Sequence, residues 1–258
     1  MVNSDWLNCK RPPIKYTTFR LVATAAVKYK VQEIIEEAIF RLSHVFPSCD
    51  INDWNPDLLS GGETPAPINL TDEDSIDVIR LARLLGAPML LPMAFYACCN
   101  ISDPDCVAEG ANYSDGKGPV RLSQEDMRTY LKGREELVEE NSRVMKTFLE
   151  YINVAELRPA SCTTSSRCRL AVQIIALAAM EDKLYYDPSP IDPIDGWLDN
   201  AHVAKPSSKP CRHCNKALLK IINARREEAW QKLGKIFGVE SWPAGQQVSE
   251  PCLRQLLL

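Results

Sequence analysis

A chain of 258 residues, 45% of them apolar and 25% charged, has the composition of an ordinary folded protein and room for one large domain or two small ones. The formal net charge of −4 excludes a broad grip on nucleic-acid phosphates, which needs a basic face, and runs as short as Arg225-Arg226 do not reverse that. The longest apolar stretch, around Leu170 to Met180, falls short of the ~20 residues that cross a bilayer, and no basic-then-apolar signal follows Met1.

The expectation is a protein of the cytoplasm or nucleus, off the membrane. Its ten cysteines are then reduced, and the sequons at Asn69, Asn100 and Asn112 are chance matches.

Residues 1–15, with Pro12-Pro13, read as a flexible lead-in. From Thr18 to Phe46 apolar residues recur at helical spacing: Val22, Ala26 and Tyr29, then Ile34, Ile35, Ala38, Ile39 and Leu42. Lys30-Val31 is the joint between two helices, and Pro47 ends the second. Gly61-Gly62 and the prolines up to Pro67 mark a loop. Thr71 and Asp74 are spaced as a capping box, with Asp72 and Glu73 favouring a helix start, and Gly86 stops that helix. Pro88 opens the next one, through Leu91, Phe95 and Tyr96.

Residues 100–120 are rich in Asp and Gly and read as a second loop. Ser123 and Asp126 cap a helix running to about Tyr151, with Met127, Tyr130, Leu131, Leu137, Met145, Phe148 and Leu149 on its apolar side and a break or close contact at Gly133. Leu170 to Leu184 reads as a buried helix. Five prolines over 187–210 mark a linker, and a final helix begins near Cys211 and ends in an aromatic segment with Trp230, Phe237 and Trp242. The predicted fold is all-α or nearly so, an irregular helical bundle with Pro-rich loops. Its parts are the lead-in, a helical pair (16–50), a central body (68–155), a cysteine-bearing C-terminal piece (156–245) and a tail (246–258).

The run from Phe19 to Val31, ending Lys28-Tyr29-Lys30-Val31, resembles the end of a BTB/POZ domain. The segments after Val31 resemble the BACK-like post-BTB helical region of proteins from mushroom-forming (basidiomycete) fungi. The matching features are Arg41-Leu42-Ser43 with Phe46-Pro47, Ile79 to Arg83, Leu91 to Tyr96, Leu122-Ser123 with Glu125-Asp126, Lys132 to Glu135, the paired cysteines, and Arg225 with Trp230. The resemblance covers roughly residues 16–242; the main BTB body has no counterpart here. It implies a non-catalytic adaptor or scaffold that binds proteins, other BTB chains or a cullin among them, with a link to ubiquitination.

The sharpest chemical motif is Cys211-Arg212-His213-Cys214. With Cys162 and Cys168 it supplies four thiolates, the soft tetrahedral set of a structural zinc site, although five residues between the first pair exceed the usual two to four. Two other readings stand beside it: ordinary thiols with a chance Cys-x-x-Cys, or a Cys211–Cys214 redox pair activated by a helix N-terminus. His213 is expected to turn away, and Cys98-Cys99 to lie in the core.

Only His44, His202 and His213 could serve a nucleophilic site, and no phosphate-binding or zinc-protease motif accompanies them, so no catalytic residue is expected. Trp230 is read as core, while Trp197, Trp230 and Trp242 are also candidate partner anchors. Arg225-Arg226 reads as a solvated face. The competing function is a zinc-supported nucleic-acid-binding regulator using Arg167, Arg169 and Arg212, opposed by Glu227 and Glu228.

Overall fold

The computed structural model describes residues 13–59, 66–113, 118–181, 184–192, 209–240 and 242. The expected lead-in before residue 13, Cys9, Trp197, His202, Cys252 and the tail from 246 lie outside the described residues. Those that are described form eight α-helices beside one parallel pairing of two-residue strands, so the chain is predominantly helical, as its periodicity predicts. None of these helices is long and apolar enough to cross a membrane. Contacts divide the chain into two units, one up to Leu131 and again from Phe237, the other Lys132–Ile236.

In the first unit, β1 (Ile14–Lys15) pairs with β2 (Ile68–Asn69) and leads straight into α1 (Tyr16–Tyr29). Lys30 closes α1 in the left-handed conformation (φ 55°), and α2 (Gln32–Val45) starts after Val31, at the joint the sequence marks. At α3 (Asp74–Leu84) the Asp74 carboxylate accepts the Thr71 backbone N–H at 2.8 Å, one half of the expected capping box.

A turn from Pro88 then feeds α4 (Leu91–Cys99), in which every residue is buried. A helix apolar on all sides belongs at the centre of its unit. Trp54 meets Tyr96 edge-on at 5.7 Å, and Phe95 stacks on Phe237 at 5.2 Å.

The segment read as loop over 100–120 instead holds a short helix, α5 (Pro104–Glu109), with Asp103 accepting the Asp105 N–H and Pro104 in the first turn. Beyond it Ala111 bridges Val120, and Gly110 (φ 90°) passes so close that a Cβ there would lie 2.5 Å from the Val120 carbonyl oxygen. The Asp-Pro start signal was present in the sequence; loop composition around it masked it.

One buried charge fixes how α1 meets α3. Asp77, on α3 with no side-chain exposure, accepts Arg20 Nε at 2.7 Å and Tyr16 Oη at 3.1 Å on one oxygen, and Arg80 Nε at 2.7 Å on the other. Tyr113 lies under the Arg20 guanidinium at 4.2 Å. Burial, and after it the Asp77 charge, hold the Tyr16 phenol well above its usual range, so it stays a donor.

Ser123 caps α6 (Gln124–Asn153) reciprocally with Asp126: its hydroxyl accepts the Asp126 N–H at 3.0 Å and donates to the carboxylate at 2.7 Å. The helix runs unbroken through Gly133, which is buried, so the break expected there is absent. Leu131 and Leu149, expected on the apolar side, are exposed.

The second unit packs the remainder of α6 with α7 (Ser165–Glu181) and α8 (Arg212–Ile236). Phe148 and Tyr151 meet Val172, Ile175 and Ala179 of α7 and Leu218 and Ile222 of α8. Asn141 Nδ2 donates to the Leu184 and Asp187 carbonyls at 2.6 and 2.8 Å, holding the chain after α7. Arg226 is not the expected solvated residue: it is half-buried and donates to the Ile191 carbonyl at 2.8 Å. Trp230 is core, as its place on the helix predicts.

α7 departs from its expectation of full burial. Its Ala171, Val172, Ile175, Ala176 and Ala179 side fills the core, and the small alanines allow close approach. That leaves Leu170 (57% exposed), Ile174 (37%), Leu177 (59%) and Met180 (50%) as an apolar stripe facing outward.

Replacing Asp77 with Ala removes the buried carboxylate that Arg20, Arg80 and Tyr16 share, and is expected to cost about 3–5 kcal/mol, whereas Tyr16→Phe costs about 1 kcal/mol. Urea unfolding of both variants checks the order.

Candidate metal centre

Two helix starts and one turn bring four sulfurs together. Cys162 precedes α7 in a turn closed by its N–H on the Pro159 carbonyl at 2.9 Å, and Cys168 sits one turn into α7, its N–H on the Thr164 carbonyl at 2.9 Å. This reversal before the helix is what lets a five-residue spacer work, since Cys162 and Cys168 end with their sulfurs 3.8 Å apart. Cys211 stands immediately before α8 and Cys214 in its first turn, the placement the Cys-x-x-Cys spacing implies. The Cys211 sulfur is 4.0 Å from that of Cys162, and the Cys211 N–H points at the Cys168 sulfur at 3.3 Å.

All four sulfurs lie within 4.8 Å of one another. A tetrahedral ion with metal–sulfur bonds of about 2.3 Å sets its sulfurs about 3.8 Å apart, close to the shorter separations here, while a disulfide would need about 2.05 Å. All four candidate ligands predicted from the sequence are therefore gathered in one place, at a spacing that fits a metal ion. His213 is exposed and stands outside the cluster.

The electrostatics suit a cation. Burial works against ionising Cys168, but the Thr164 hydroxyl, 3.4 Å away, and the Cys211 N–H outweigh it and bring the thiol down to about 7. Burial pushes Cys214 the other way, to about 12. Without a positive ion only part of the cluster ionises; with one, four thiolates share its charge, helped by the positive ends of α7 and α8. Tyr151 of α6 fixes the α8 start by donating to the Cys214 carbonyl at 3.2 Å.

A lowered thiol, Cys168, thus lies outside the Cys-x-x-Cys, whose Cys214 is raised. Thr164 and Tyr151 were missed as supporting residues. A Thr four residues before a candidate ligand was the available signal for the first, and nothing in the sequence signalled the second.

Elsewhere, Cys98 is buried and its thiol pushed up to about 12 by that burial, which fits a core role. Cys98, Cys99, Cys106, Cys162, Cys168, Cys211 and Cys214 are free thiols. Arg167, Arg169 and Arg212 are exposed near the cluster. Glu227 and Glu228 do not oppose them as expected: they lie sixteen or more positions along α8 from Cys211, about 24 Å. Compared with family models, with curated proteins and with solved structures, the chain matches none.

Zinc must displace protons from these thiols, so its apparent affinity is expected to fall with decreasing pH. The fall steepens below about 7, where Cys168 regains its proton. A chelator-competition titration across that range measures the slope, and a pH-independent affinity would contradict thiolate ligation.

Proposed function

We propose that this chain is a non-catalytic protein-binding module whose C-terminal unit is fastened by one structural zinc ion on Cys162, Cys168, Cys211 and Cys214. The convergence of four sulfurs within 4.8 Å from two helix starts carries the reading. All four positions are cysteine, which leaves a tetrahedral ion no open place for a substrate or water, the arrangement of structural rather than catalytic zinc. The residues hold and orient: α7 and α8 are pinned at their starts, and the rest of unit two packs behind them.

Binding of a protein partner is supported by the outward stripe of Leu170, Ile174, Leu177 and Met180, since apolar side chains aligned on an exposed helix face mark association surfaces. The resemblance to fungal post-BTB regions points the same way, to an adaptor or scaffold in the cytoplasm or nucleus; the link to a cullin rests on that resemblance alone.

Metal analysis of protein purified without added zinc is expected to find about one zinc per chain. Cys211→Ser is expected to lose it and lower the melting midpoint of the C-terminal unit by at least ~10 °C. A metal-free protein with an unchanged melt would overturn the zinc assignment. Leu177→Glu is expected to keep the zinc and the fold while weakening partner capture at least tenfold, about 1.4 kcal/mol.

A further inference from the structure

Far from the cysteines along the chain, α3 and the start of α6 enclose a cavity of about 320 Å³. Arg80, Arg83, Arg121, Ser123, Glu125 and Asp126 supply its polar lining. We infer that this cavity is a receptor for a phosphate-type oxyanion, recognised by guanidinium groups that the fold holds by one edge and leaves open at the other.

Two of the three arginines share one manner of attachment. Arg80 donates Nε to Asp77 at 2.7 Å and Arg121 donates Nε to the Glu109 carbonyl at 2.8 Å, whereas Arg83 donates both Nε and Nη2 to Asp126. Anchoring at Nε alone fixes the Arg80 and Arg121 guanidinium planes without using their terminal nitrogens, the edge that pairs in parallel with two oxygens of a phosphate. Among the described residues the terminal nitrogens of Arg80 and Arg121 have no protein partner.

The charges are unequal in the same sense. Asp77 pairs with Arg20 as well as Arg80, so Arg80 has only a share of one carboxylate. Asp126 is taken up by Arg83 and by the Ser123 hydroxyl. Among the described residues Arg121 is matched only by a neutral carbonyl. Against this surplus the cavity lining sets one carboxylate without an ion pair among the described residues, Glu125, which is exposed. Gathering like charges around one hollow is unfavourable until an anion enters, and at this volume a phosphate group fits together with the atoms that carry it. The source of the oxyanion is either free phosphate or a phosphorylated side chain.

Calorimetry on the full chain in a buffer free of oxyanions, with inorganic phosphate and with N-acetyl-O-phosphoserine methylamide as probes, tests the site. Saturable binding of either probe, with the unphosphorylated serine compound inert, is the expected result. Tighter binding of the serine derivative identifies a phosphorylated peptide as the source, and tighter binding of inorganic phosphate identifies the free anion. Arg121→Gln removes a side chain whose only hydrogen bond among the described residues is to a carbonyl, so the variant keeps its melt while its dissociation constant rises at least tenfold. No binding by either probe, or undiminished binding by Arg121→Gln, overturns the proposal. Both readouts are independent of zinc content, so they stand or fall apart from the metal centre.

Discussion

The C-terminal unit gathers four sulfurs closer together than bare thiolates would tolerate. Within 4.8 Å of one another they cannot all carry charge unless a cation shares it. With the proposed ion bound, the local cluster would become a fastening across sequence, because Cys168 and Cys211 are 43 positions apart. Closing a loop of that length by a cross-link removes about 4 kcal/mol of chain entropy from the unfolded state on the simplest estimate. The packed faces of α6, α7 and α8 can then be modest, and α7 can devote alanines to its inner side while its large side chains face out.

The first unit meets a comparable problem with fixed charges. Asp77 is buried without exposure, and its two oxygens are filled by Arg20, Arg80 and Tyr16. Such a cluster gains little net stability over an apolar core, but it admits few alternative arrangements of α1 on α3. Arg80, held at Nε by Asp77, also lines the neighbouring cavity. An interaction that orients two helices thus also places a guanidinium at their edge.

Much of the helical order was legible because it is written in short-range terms. The Lys30-Val31 joint, the Gly86 stop, the Pro88 start and the Ser123 cap each show in the structure, since caps and stops involve residues within four positions. Burial was less legible. Leu131, Leu170 and Leu177 look like core by type and spacing, yet which apolar face wins depends on what neighbours present, and periodicity does not carry that. The same limit hid Asp77: in sequence it is one more acid near a helix start, and only the arrival of Arg20 and Tyr16 from 57 and 61 positions away makes it central. For the candidate metal centre, residue type and the Cys-x-x-Cys spacing were enough to name all four cysteines that the fold gathers. What remained invisible was the turn at Cys162 that rescues the loose first pair, and the Thr164 and Tyr151 contacts around it.

Synthesis gives the tetrad an order. Cys162 and Cys168 are made first, and Cys211 follows Cys168 by 43 residues. At ~5–20 residues per second that gap lasts roughly 2–9 s. During it α7 has neither the second pair of cysteines nor the α8 face it packs against, so both its apolar sides are uncovered. If the proposed zinc closes the tetrad, its scarcity at that moment would prolong the exposure rather than merely weaken the finished fold.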